Sequence, residues 1–363
     1  MLYIEIHEME EEFMKNRKPI LLFLLVLIAA LSFYPMETYI SKPGGAYELT
    51  PFVDVEGGDE NDEGTMSLLT IALAKATPLT YAYAKIVNNQ KIYEANEIRN
   101  EDEDEKEYNV RQLKLMSSSQ FNAITVAFNR ANLPYEVINQ GIFIFNVIED
   151  SAADGVLEAG DKLVTMDKLN DLTEEKIKTY LSDKKEGDII QLTIERDEQE
   201  LEKEVTLKTV PGVLDKPGIG ISYTEDKIVE TSPVVHMNTE EIGGPSAGFM
   251  FTLEILNQLL PEDISKGYNI AGTGEIESDG TVGRIGGIDL KVIAADREAM
   301  DFMFAPDDEI DSAILANNPG LTSNYEEALK SAKKIGTTMK IVPVKTIDDA
   351  LAYLEQLEPK TNN

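Results

Sequence analysis

The chain has 363 residues, 42% of them hydrophobic, enough for two or three domains with cores of their own. It holds no cysteine, which excludes disulfides, thiolate nucleophiles and cysteine metal sites, and His7 and His236 are its two imidazoles. Thirty-three basic against 66 acidic residues leave a net charge of -33, which opposes nucleic acid and anionic surfaces as partners and suits a soluble or saline, extracytoplasmic setting.

The first predicted element is a membrane span. Residues 19 to 36, PILLFLLVLIAALSFYPM, carry no charge and as a helix would extend about 27 Å, close to the hydrocarbon thickness of a bilayer. Lys15, Arg17 and Lys18 precede the run, which puts a tail of residues 1 to 18 in the cytoplasm and everything after the span outside the cell. The alternatives are a cleaved signal peptide, for which ALS at 30 to 32 offers a small-x-small site, and a buried helix.

Residues 37 to 114 read as strands over 48–55 and 65–73, joined by an acidic glycine-rich turn, followed by a helix over 74–97 around Tyr81, Ala84 and Ile86. In the turn, Asp59, Asn61, Glu63 and Gly64 imitate the start of a calcium loop. The twelfth position needs a bidentate carboxylate and is Thr70, so a solvated turn is expected and no metal site. NEDEDEKEYN, residues 100 to 109, reads as a charged boundary or a solvated helix face.

Residues 115 to 212 form a compact module in this reading, with a helix over 118–132, strands over 142–148, 162–166, 188–195 and 203–209, and a helix over 173–183. GIFIFNVIEDSAADGVLEAGDKLVTMD, residues 141 to 167, runs from a strand through a small-residue turn and a Gly-Asp pair to another apolar strand. This pattern resembles the PDZ domains of bacterial proteases, which hold an extended peptide by strand addition. The resemblance implies Gly141, Ile142, Phe143 and Ile144 as the peptide edge, with Ile177 and Leu181 on the facing helix. The alternative is that these side chains are core, although strand alternation lets half of them face a groove.

From 213 to 359 strand and helix patterns alternate, which argues an α/β domain, and Thr346 with Asp349 gives its last helix a capping box. Phe249, Met250, Leu253, Leu256 and Leu260 recur at helical spacing behind Ser246, so the serine lies at a helix start, where unpaired backbone N–H groups can stabilise an oxyanion. Gly243 and Gly244 allow backbone to approach a substrate. An ordinary N-cap is the alternative role for Ser246.

A serine nucleophile needs a base, and His236 and a lysine compete for that place. His236 alternates with Val234 and Asn238 in PVVHMN and fits either a triad base or a hydrogen-bonded structural residue. Lys291, in GRIGGIDLKVIAAD, has Ile288 before it and Ala294 and Ala295 after it at helical spacing, with no carboxylate there. Burial would lower its pKa, and bringing it from about 10.4 to about 7 takes roughly 4.6 kcal/mol of desolvation. The alternative is a lysine that snorkels to solvent.

GGPSAG, the lysine 45 residues after its serine, TGEI at 273 to 276 and the closing IVPVKTIDDAL together resemble the proteolytic domain of the Lon family of Ser-Lys proteases, over about 215 to 358. The resemblance implies Ser246 as nucleophile and Lys291 as general base. Thr273 would support the dyad by hydrogen bonding, Gly244, Pro245 and Ala247 would surround the nucleophile, and His236 would not be the base. No G-x-x-x-x-G-K-[ST] occurs, so hydrolysis is expected to proceed without ATP. The order of anchor, PDZ-like and Lon-like segments looks like the single-pass, PDZ-containing Lon-like proteases of Gram-positive bacteria, which cut secreted or membrane-associated polypeptides outside the cell. The strands over 48–73 resemble that domain's opening hairpin, which implies that the PDZ module is inserted into it.

The expected fold is therefore α/β (α+β), a Lon-type proteolytic domain with an inserted PDZ-like module, preceded by one transmembrane helix. The expected activity is an ATP-independent serine endopeptidase of the cell membrane, acting through an acyl-enzyme with no cofactor. Its expected partners are peptides and unfolded polypeptides, the membrane through one helix, and further copies of itself, since Lon-type domains often form rings; nucleic acid and ATP are not among them. A non-catalytic, membrane-anchored PDZ scaffold or receptor is the alternative, against which the presence of both Ser246 and Lys291 in context argues.

Overall fold

The computed structural model describes residues 19–59, 63–100, 103–209, 212, 216–239 and 242–360. It divides into two units, residues 1–44 with 70–101 and residues 45–69 with 102–363. In chain order the elements are α1 (residues 19–33), β1 (Thr38–Glu48), β2 (Val53–Val55), β3 (Thr65–Lys75), α2 (Pro78–Ala84), β4 (Lys91–Glu94), α3 (Ala95–Ile98) and α4 (Glu105–Ala131). Next come β5 (Tyr135–Val147), β6 (Lys162–Met166), α5 (Glu174–Ser182), β7 (Ile189–Arg196), β8 (Gln199–Thr206), β9 (Lys208–Thr209), β10 (Pro217–Gly218) and β11 (Ile221–Thr231). The chain closes with β12 (Val235–Met237), α6 (Gly248–Leu259), β13 (Asn269–Gly272), β14 (Glu275–Ile276), β15 (Val282–Gly283), α7 (Ile288–Arg297), β16 (Phe302–Pro306), α8 (Ser312–Asn317), α9 (Asn324–Ile335), β17 (Lys340–Val344) and α10 (Ile347–Glu355).

In the first unit, Thr38–Ser41 of β1 pair antiparallel with Lys91–Glu94 of β4 over a small core of Ile40, Ala76 and Ala84. The helix expected over 74–97 is three elements. α2 starts at a Thr77–Thr80 capping box with Pro78 in its first turn, and the chain then turns at Asn88 and Asn89 into β4. α1 exposes every large apolar side chain from Ile20 to Ile28. It ends before Pro35, short of the expected boundary at residue 36, and no helix among the described residues is long and apolar enough to cross a membrane. The basic flank, the tail of residues 1 to 18 and His7 lie outside the described residues.

The second unit contains a sheet with a core on each face, interrupted by a module with a core of its own. β3, β13, β16 and β17 run parallel, β13 pairing with β3 on one side and with β16 on the other. Alternation along β16 shows the layering: Phe302 and Phe304 join α6 and α10 in one core, while Met303 and Ala305 join α7 and α9 in another. β3 precedes and β13 follows a five-stranded antiparallel sheet, ordered β11-β5-β6-β7-β8, whose separate core includes Ile142, Leu163, Ile177 and Ile194.

Several boundaries differ from the sequence reading. The strand expected over 48–55 breaks after Glu48, and β2 pairs with β12 rather than forming a hairpin with β3. α4 starts at Glu105, well before residue 118, because Asp104 and Glu107 form a capping box and acidic side chains favour a helix N-terminus. Much of the acidic run is thus a helix start. The module also extends past residue 212, since β11 pairs with β5 along its whole length. β11 escaped notice because ISYTEDKIVET carries too many polar residues to stand out as a buried strand.

Candidate active site

The turn before α6 is fixed from several sides. Gly244 has φ +85°, in the region that favours glycine, and its N–H donates to the Gln112 carbonyl of α4 at 3.0 Å. Ser119 Oγ, also on α4 and buried, donates to the Pro245 carbonyl at 2.9 Å. The N-cap of α6 is Ala247, which makes no side-chain cap bond, so Ser246 is not the helix cap.

Its hydroxyl is instead 2.7 Å from Lys291 Nζ. Lys291 lies in the first turn of α7, among the buried residues Ile288, Leu290, Val292 and Ala294. Its side chain is 2% exposed, and desolvation with no compensating charge lowers its pKa from 10.5 to about 7. The amine does not snorkel to solvent.

Thr273, fully buried after β13, completes the contact. Its Oγ1 lies 2.8 Å from Lys291 Nζ and donates to the Ser246 carbonyl at 3.0 Å, and the Gly274 N–H donates to the same carbonyl at 2.9 Å. A threonine hydroxyl has one proton. With that proton on the Ser246 carbonyl, Oγ1 accepts from Lys291, and a neutral amine then has its lone pair left for the Ser246 hydroxyl.

His236 is elsewhere. It is exposed on β12 opposite Asp54, with Nε2 3.4 Å from Glu56 Oε1, and makes no hydrogen bond with Ser246. Of the calcium-like loop, Asn61 lies outside the described residues, and Glu63 N–H donates to Asp263.

The peptide edge expected at Gly141–Ile144 is not an edge. β5 pairs there with β11 on one side, and Ile142 and Phe143 pair with β6 on the other, while Ile142 and Ile144 are core. Both rows of backbone hydrogen-bonding groups are in use. The groove lies one strand further out, between α5 and the start of β11, as a cavity of about 450 Å³. Ile177 and Leu181 line it from α5, together with Leu163 and Met166 of β6 and Ile219, Ile221 and Tyr223. β11 ends the strand order, so its outer edge is unpaired within the sheet. Among the described residues, the charged ones lining the groove are Lys178, Lys184 and Lys216, of which Lys178 pairs with Glu174.

Comparison with known proteins finds two matched segments. Residues 120–207 match the family model for the PDZ domain, and residues 234–354 match that for the Lon protease (S16) C-terminal proteolytic domain. These matches support a PDZ-containing, Lon-like protease. A Lon protease from Aster yellows witches'-broom phytoplasma (strain AYWB) is 28% identical over 111 residues, 31% of this chain and 12% of that protein. Among solved structures, the PDZ domain of the SdrC-like protein from Listeria monocytogenes is 25% identical, with 24% of this chain and 92% of that chain covered at a TM-score of 0.23. A solution structure from Geobacillus thermodenitrificans is 32% identical, with 23% of this chain and 95% of that chain covered at a TM-score of 0.21.

Gln112 and Ser119, which hold the turn around Ser246, lie outside both matched segments and escaped the sequence reading. Ser119 and Pro245 are 126 positions apart, and a serine inside a helical pattern gives no local signal of such a contact.

Proposed function

We propose that this chain is an ATP-independent serine endopeptidase with a Ser246–Lys291 dyad. The observation that carries the reading is the 2.7 Å contact between the Ser246 hydroxyl and a desolvated lysine whose pKa is lowered to about 7. Near neutral pH about half of such amines are unprotonated, within reach of the proton they must take.

In this reading Ser246 Oγ attacks the carbonyl carbon of a peptide bond while its proton passes to Lys291 Nζ. The carbonyl π pair moves to oxygen, held by backbone N–H groups of the turn. When the tetrahedral species collapses, the C–N bond breaks, Lys291 returns the proton to the leaving amine, and an ester to Ser246 remains. Water then attacks the ester, giving its proton to Lys291, and the acid product leaves as Ser246 recovers its hydrogen. Thr273 fixes the amine so that its lone pair meets the serine.

The α5–β11 groove receives an extended segment of the substrate by strand addition, its apolar walls taking alternate side chains. ATP independence is supported by the lack of a G-x-x-x-x-G-K-[ST] in this sequence, and without a motor the substrates are short or already unfolded chains. A membrane anchor at residues 19 to 36, with the catalytic part outside the cell as in the Gram-positive proteins of this type, is supported by the uncharged run, its basic flank and the exposed apolar surface of α1.

The test is incubation of the full chain in vesicles with an unstructured polypeptide, without ATP, beside Ser246→Ala and Lys291→Ala, with mass spectrometry of the products. Cleavage by the unaltered chain alone is expected. Equal cleavage by either variant, or none by any of the three, would overturn the reading and leave a peptide-binding scaffold.

A further inference from the structure

Two peptide planes flank the nucleophile. Both are trans, so in each the N–H points away from its carbonyl. In the first plane, the Pro245 carbonyl accepts from Ser119 Oγ at 2.9 Å and from the Gly248 N–H at 3.2 Å, which turns the Ser246 N–H the opposite way. In the second, the Ser246 carbonyl accepts from Gly274 N–H and Thr273 Oγ1, which turns the Ala247 N–H likewise. Neither N–H meets an acceptor among the described residues. They are adjacent donors on the residue that attacks, at a helix N-terminus whose dipole favours negative charge.

We infer that Ser119 is a positioning residue for the oxyanion hole, orienting the Ser246 N–H through the Pro245 carbonyl; the inference rests on the endopeptidase reading above. The close fit supports a dedicated contact. A Cβ on Gly248 would come within 2.3 Å of Ser119 Oγ, so glycine at that position is what lets the hydroxyl reach the turn. Ser119 is 3% exposed and stands on a helix that packs against α6, so its hydroxyl is held by burial. Gln112, two turns earlier on the same helix face, fixes Gly244 at the other end of the turn. α4 thus carries the frame for donors that belong to a different segment of the chain.

The experiment compares the full chain with Ser119→Ala, which removes the donor and leaves the second bond to Pro245. Three quantities are read: kcat and KM on a fluorogenic peptide, inhibition by a peptide aldehyde, and inhibition by the matching peptide alcohol. Ser246 adds to the aldehyde carbon, its proton passing to Lys291 and the carbonyl oxygen becoming the oxyanion, whereas the alcohol reports only ground-state binding. The expected result is a fall in kcat of roughly 10- to 100-fold and an equal weakening of the aldehyde. KM, alcohol binding and the acid limb of the pH profile stay unchanged. A merely structural serine would move aldehyde and alcohol together. Cleavage within twofold of the unaltered chain, or equal weakening of both inhibitors, would overturn the inference and leave the endopeptidase reading intact. If the unaltered chain neither cleaves nor prefers the aldehyde, both fall.

Discussion

Thr273 Oγ1 sits between Lys291 Nζ, at 2.8 Å, and the Ser246 carbonyl, at 3.0 Å, so one hydroxyl orients the amine and the backbone of the residue it faces. Thr273→Val keeps the shape and removes both bonds. Its kcat is expected to fall roughly 100-fold. Thr273→Ser, which keeps the hydroxyl, should stay within about tenfold. Steady-state kinetics of the two variants decide the point, and equal activity in both would dismiss Thr273 as a support of the proposed dyad.

The lowered pKa of Lys291 gives the pH dependence a sign. In the proposed dyad the amine acts when neutral, so kcat/KM should rise about tenfold per pH unit below 7 and level off above about 7, the value to which burial brings it. His236 is exposed and tied to Glu56, so His236→Ala should leave this limb in place. Loss of the limb in His236→Ala would make histidine the base.

The same burial weakens the fold. Because the folded-state pKa is below the unfolded one, the unfolded chain binds more protons between about pH 7 and 10.5, and stability rises across that window. Keeping the amine neutral at pH 7 costs about 5 kcal/mol at 1.36 kcal/mol per unit, offset by two hydrogen bonds of about 1 kcal/mol each. Lys291→Met should therefore be inactive and more stable by roughly 3 kcal/mol at pH 7. Its stability should lose the rise between pH 7 and 10.5. Denaturant unfolding at both ends of the window tests this.

The groove makes a prediction about charge. With Lys178, Lys184 and Lys216 as the charged residues in its described lining, it should prefer an apolar segment flanked by carboxylates, and a matched peptide with lysine flanks should bind about tenfold more weakly. Lys216→Glu should shrink that preference, and Leu181→Asp should abolish binding of both peptides while leaving cleavage of a short fluorogenic substrate within twofold. Fluorescence anisotropy on Ser246→Ala protein measures the binding without turnover. Equal affinity for both peptides would dismiss the lysines as selectors.

What local pattern carries was legible before any fold was known. Helical spacing behind Ser246 and around Lys291 predicted α6 and α7, and Thr346 and Asp349 announced the cap of α10. The apolar neighbours of Lys291 allowed a desolvated amine, because residues three and four apart share a helix face, but left a snorkelling lysine open as well. The serine and lysine were readable as a pair through their resemblance to Lon proteases, since neither fragment decided its role alone.

Tertiary structure decided the rest. Alternation in GIFIF suits an edge strand and an interior strand equally, and only pairing with β11 and β6 shows that β5 has no free edge at Ile142 and Phe143, so the groove moves to a strand too polar to be noticed. The same holds for α4. Its periodicity marks it as a packed helix, but which of its serines meets the Pro245 carbonyl depends on a contact closed across 126 positions. Spacing reports the faces of single elements; which faces meet is settled by burial and hydrogen-bond satisfaction across the whole core.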